Sequence, residues 1–88
     1  AYGNYVKAEV NKAIVSSEAL KYLDYIAVVT LKVRSSGRFA FIDIDMEGGN
    51  DSTKKKLMAF FEALGGVGKP VPLEEKQDTF RLKISSVI

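Results

Sequence analysis

Polar and apolar residues alternate along Ile26–Met46, IAVVTLKVRSSGRFAFIDIDM, in two arms joined at Arg34-Ser35-Ser36-Gly37. In the first arm Ala27, Val29, Leu31 and Val33 point one way while Val28, Thr30, Lys32 and Arg34 point the other, the period of two that a half-buried strand needs. In the second arm Ala40, Ile42, Ile44 and Met46 share one face, and Phe39, Phe41, Asp43 and Asp45 share the opposite one. Gly37 takes positive φ at low cost, so the pattern predicts a β-hairpin closed by a short loop with a left-handed residue and a bulge. An isolated hairpin is marginal in water. The rest of the chain must therefore cover its apolar face.

The period changes on either side. Over Tyr2–Ile14, Val6, Val10, Ala13 and Ile14 recur at helical spacing among Lys7, Glu9, Asn11 and Lys12, which predicts an amphipathic helix with Asn4 as N-cap. Glu18–Tyr25, EALKYLDY, reads as a short helix capped by Ser17 or as a loop fastened by Leu20, Leu23 and Tyr25. After the hairpin, Glu47-Gly48-Gly49-Asn50-Asp51 marks a turn, with Asn50, Asp51 or Ser52 able to cap the helix STKKKLMAFFEAL. That helix sets Leu57, Met58, Phe61 and Leu64 on one side and Lys54, Lys55 and Glu62 largely on the other, and Gly65-Gly66 ends it. GVGKPVPLEEKQD, with two prolines, reads as an extended connector. The last strand is TFRLKIS, Thr79–Ser85, with Phe80, Leu82 and Ile84 inward and Arg81 and Lys83 outward.

Topology follows from lengths. A helix of about 13 residues spans about 20 Å, enough to return the chain along the sheet. The final strand then runs antiparallel to the first hairpin arm and pairs beside it. The expectation is an α+β fold in the order α-β-β-α-β. It is a three-stranded antiparallel sheet of strand order 2-1-3 with two helices packed on one face, in a single domain spanning residues 1–88. The C-terminal strand is then an edge with a free row of backbone groups.

Composition narrows the chemistry. A chain of 88 residues that is 47% hydrophobic and 27% charged builds a small core and is not disordered. Its formal net charge of +2 exerts no strong pull on nucleic acid or anionic membrane. With no cysteine and no histidine, Cys or His nucleophiles, Ser-His-Asp triads, imidazole switches and zinc sites are excluded. No apolar run is long enough to span a bilayer, and the start at Ala1 suits a processed chain or an excised domain.

Asp43 and Asp45, two apart on a strand, lie about 7 Å from each other on an exposed face. That is no pocket for a raised carboxyl pKa, so they read as charge pairing with Lys32, Arg81 and Lys83 rather than catalysis. The turn Glu47–Thr53 precedes a helix N-terminus but lacks the phosphate-loop order, and its acids repel anions. Lys54-Lys55-Lys56 reads as a solvated face. A nucleic-acid module would need that run and the outer aromatics Phe39 and Phe41 to form one basic surface.

The arrangement resembles the C-terminal domain of the TonB/TolA family over nearly the whole chain. The features that carry it are the tyrosine-led helix Tyr5–Ile14, the L-x-V-x-x-x-G pattern at Leu31, Val33 and Gly37, Gly48-Gly49-Asn50 before a helix, and Pro70-Val71-Pro72 before the last strand. DIDMEGGND and GKPVP are more similar to TolA. Lys21-Tyr22-Leu23-Asp24 lacks the Tyr-Pro of TonB members, and the cysteine pair that TolA domains often contain is absent.

The resemblance implies a non-enzymatic protein-binding domain of the cell envelope without a cofactor or metal. Such a domain sits in the periplasm, tethered to the inner membrane by an N-terminal anchor that this chain does not include, and serves transport. Its partners are periplasmic or outer-membrane-side proteins, and colicins and filamentous-phage coat proteins dock on TolA-like members; nucleic acid is not a partner. An extended partner segment adding a strand to a sheet edge suits such work. The candidate residues are Thr79, Phe80, Arg81, Leu82, Lys83 and Ile84 on that edge, with Tyr5 and Lys12 of the first helix as groove wall. The competing classes are a small nucleic-acid-binding module and a structural module that self-assembles through the same edge.

Overall fold

A computed structural model of the chain describes residues 1–86. The order is α1 (Tyr2–Val15), β1 (Ile26–Val33), β2 (Phe39–Gly48), α2 (Asp51–Leu64) and β3 (Thr79–Ser85). The three strands form one antiparallel sheet of order β2-β1-β3, as the element lengths predict. Ala27, Val29, Leu31 and Val33 of β1 are all buried, as are Phe80, Leu82 and Ile84 of β3. They join Val6, Val10 and Ile14 of α1 and Leu57 and Phe61 of α2 in one core, so both helices cover the same sheet face. Each large apolar side chain so buried is worth about 1.5–3 kcal/mol, which is what holds a domain this small together.

Helix α2 has the ends its sequence predicts. Asn50 is the N-cap, and its side-chain oxygen accepts the Thr53 N–H at 2.8 Å. Gly65 closes the helix in the left-handed region (φ 74°) and donates its N–H to Phe61. Helix α1 differs from expectation. It starts at Tyr2, with Ala1 in the cap position and no side-chain cap bond, so Asn4 lies inside the first turn. A tertiary anchor replaces the cap. Tyr2 is buried, its ring lies 5.8 Å from that of Phe80, and its hydroxyl donates to the Lys69 carbonyl at 2.8 Å.

Between α1 and β1 the chain forms turns, not a helix, with Leu20 and Tyr25 as buried anchors. The hairpin bulge sits at Ala40. Lys32 pairs with Phe41 and Val33 with Phe39, so Ala40 has no partner. This overturns the expected outward placement of Phe39. Beyond the bulge the alternation shifts by one, and the Phe39 ring turns toward the core, 6.5 Å from Phe61, while Ala40 is exposed.

Gly37 closes the hairpin at φ 93° and is buried beneath the connector that leaves α2. A Cβ there would stand 2.7 Å from the Lys69 carbonyl oxygen. The connector crosses that end of the sheet, with Val67 donating to Gly37 and Val71 to Ser35, and delivers the chain to β3.

Candidate functional site

The ends of the β1–β3 ladder show which way the last strand turns its backbone. Val33 donates its N–H to the Asp78 carbonyl at 2.8 Å, and Ser86 donates to Tyr25 at 3.0 Å. Both pairs continue the register Ala27↔Ile84, Val29↔Leu82 and Leu31↔Phe80. In an antiparallel ladder hydrogen-bonded and non-bonded pairs alternate. Phe80, Leu82 and Ile84 therefore spend their backbone groups on β1. Thr79, Arg81, Lys83 and Ser85 direct theirs at the open edge, and their side chains are exposed on the face away from the helices.

One outward group is already occupied: the Thr79 carbonyl accepts the Gln77 side-chain amide at 2.7 Å. Among the described residues no loop or side chain takes the outward groups of Arg81, Lys83 and Ser85.

The opposite edge is less accessible. Arg34 donates to the Arg38 carbonyl at 2.7 Å, and the same alternation leaves Ile42, Ile44 and Met46 of β2 with outward backbone groups. The start of that edge is covered, since Phe39 donates to Gly65 and Arg38 forms a bridge with Gly66. Cover and a bulge are two ways proteins blunt an edge, and β3 has neither along Arg81–Ser85.

Helix α1 forms the wall beside β3. Gly3 faces Phe80 closely enough that a Cβ would meet its ring at 3.4 Å. A cavity of about 420 Å³ lies there, lined by Gly3, Asn4, Lys7, Phe80, Arg81 and Leu82. Tyr5 and Lys12 are not brought to this edge. Lys69 lies over the Tyr5 ring, its ammonium 5.4 Å from the centroid, and Lys12 borders a cavity shared with Leu64, Gly66 and Gly68. Both belong to the flank of α1 that faces the connector. Gly3, Asn4 and Lys7 take the wall position, and the sequence signals them only as the other flank of the same apolar stripe.

Charge on the outer sheet face is sorted by strand. Asp43, Asp45 and Glu47 lie on β2 and Arg81 and Lys83 on β3, with Thr30 and Val28 between Asp43 and Arg81 and between Asp45 and Lys83. The ion pair across the sheet among the described residues is Lys83–Glu47 at 3.3 Å. Lys83 is mostly and Glu47 about half exposed, so the pair contributes under about 1 kcal/mol. Lys54–Lys56 are exposed on α2, which covers the inner face, whereas Phe41 is exposed on the outer one. The lysine run and that aromatic ring thus lie on opposite sides of the sheet.

Burial raises the Tyr2 and Tyr25 hydroxyl pKa values above the ordinary tyrosine range. Tyr5 is raised as well, by partial desolvation first and by the Glu9 carboxylate one turn on. Among the described residues there is no group of three or more acidic side chains placed to hold a metal ion, and no helix is long and apolar enough to cross a membrane. No protein-family model, curated protein or solved structure matches the chain.

Proposed function

We propose that this is a protein-binding domain that grips an extended segment of a partner by strand addition to β3. The observation that carries the proposal is the open edge: Arg81, Lys83 and Ser85 hold outward backbone groups with no partner among the described residues. Main-chain bonds to such an edge give affinity, and the flanking side chains give selectivity. The resemblance to TonB/TolA C-terminal domains supplies the biological setting. On that reading the domain belongs to an inner-membrane-anchored energy transducer and works in the periplasm. It would engage periplasmic or outer-membrane-side proteins, colicins and filamentous-phage coat proteins among them, without catalysis.

Amide chemical-shift mapping with extended peptides from envelope proteins tests this. Shifts clustered at residues 79–85 and at Gly3, Asn4 and Lys7 are expected. Shifts clustered on Lys54–Lys56 with oligonucleotides, and none with peptides, would replace it with the nucleic-acid reading.

A further inference from the structure

From the charge arrangement along β3 we infer that the edge selects a segment with acidic residues at alternate positions, acid-x-acid, where x is apolar. The inference rests on the strand-addition reading and names the class of partner. Arg81 and Lys83 are the two residues with both an outward backbone and an outer-face side chain in the middle of β3. In an antiparallel addition they form the hydrogen-bonded pairs, so the partner residues opposite them lie about 5.5 Å away, Cα to Cα, with side chains on the same face. Those two partner residues are two apart in sequence and each meets a cation, Arg81 or Lys83, the latter shared with the chain's own Glu47 at 3.3 Å. Opposite charges at directly paired positions stabilise, and like charges destabilise.

The intervening partner residue points to the other side, into the cavity of about 420 Å³ between Gly3 and the inward side chains Phe80 and Leu82. Phe80 and Leu82 are buried, and Gly3 brings no side chain of its own, so this position accepts an apolar group. Lys7 and Glu75 both line the cavity and offset each other in charge, so the acid preference rests on Arg81 and Lys83.

The same charges act against the simplest self-pairing. Two β3 edges related by a two-fold axis through Leu82 would set Arg81 of each copy against Lys83 of the other, which like charge disfavours. The Asp43-Ile44-Asp45 run of β2 has the acid-x-acid pattern, but Asp43 and Asp45 spend their backbone groups on β1 and the start of β2 is covered by the connector.

The test uses the whole chain and peptides matched in length to β3. One alternates Glu with Val, one alternates Lys with Val, and one is the Glu peptide N-methylated at its Glu amides, the ones that pair with the edge. Fluorescence anisotropy should show the acidic peptide binding at least about tenfold tighter than the basic one, in keeping with two charge pairs changing sign. The preference should fall with added salt and invert in the Arg81→Glu/Lys83→Glu variant. Equal binding of the acidic and basic peptides, with loss on N-methylation, would overturn the acid preference and leave edge pairing intact. Undiminished binding of the methylated peptide would remove edge pairing itself. Concentration-dependent self-association abolished by Asp43→Lys/Asp45→Lys would assign the edge to a second copy and overturn the inference.

Discussion

Val33 and Asp78 share a backbone hydrogen bond of 2.8 Å, and that bond determines which half of the last strand is available to a partner. It commits Phe80, Leu82 and Ile84 to β1 and leaves Arg81, Lys83 and Ser85 facing the open edge. Neighbouring proline substitutions should therefore behave differently. Lys83→Pro removes an outward donor and leaves the ladder and core intact, so the variant should fold and lose peptide affinity. Leu82→Pro breaks the bond to Val29 and vacates a core position, which should cost about 2–5 kcal/mol. Circular dichroism melts beside anisotropy titrations check the contrast; unchanged affinity in folded Lys83→Pro would contradict it.

Gly37 sits at φ 93° beneath the Lys69 and Val67 carbonyl oxygens, 2.7 and 2.9 Å from where a Cβ would be. Gly37→Ala should destabilise by at least about 1–3 kcal/mol from the backbone strain alone. In a domain of this size that lowers the melting temperature by about 5 °C or more. Scanning calorimetry reads it directly.

The Asn50 cap is a local contact with a local cost. Asn50→Ala leaves the Thr53 N–H without its side-chain acceptor and should lose about 0.5–2 kcal/mol in urea unfolding at unchanged m-value. Asn50→Asp should retain most of the stability, because an aspartate accepts the same bond and suits the positive end of the helix.

Alkaline pH should destabilise the protein through its buried phenols. Tyr2 and Tyr25 have raised pKa values in the folded state, so their contribution is complete below the ordinary tyrosine pKa of about 10 and is lost as pH rises through the folded values. Ionised Tyr2 also loses its hydroxyl donor to Lys69. Absorbance of tyrosinate and far-ultraviolet dichroism should change together above pH about 10. Tyr2→Phe should be less stable at neutral pH by about 1 kcal/mol and less sensitive to alkali.

Much of this architecture is legible in sequence because period and length speak directly. The alternation in Ala27–Val33 and Phe80–Ile84 marks β1 and β3, Asn50 and Gly65 bracket α2, and helix length brings the last strand back beside the first. The remainder depends on information that a pattern does not carry. The extra residue at Ala40 inverts the face of Phe39 without altering the alternation that follows it. Tyr2 begins a helix through contacts with Phe80 and Lys69, distant in sequence, where a local rule favours Asn4. Tyr5 and Lys12 lie on one flank of the α1 stripe and Lys7 on the other, and only packing decides which flank meets β3. The outward backbone of Arg81 and Lys83 depends on register, which alternation alone leaves open between two choices.

Amide hydrogen exchange with and without the acidic peptide tests the central claim most directly. In the free protein Phe80, Leu82 and Ile84 should be protected while Arg81, Lys83 and Ser85 exchange fast, and the peptide should slow those three selectively. Protection arising instead at Ile42, Ile44 and Met46, or no change at Arg81, Lys83 and Ser85 under saturating peptide, would contradict strand addition at the C-terminal edge.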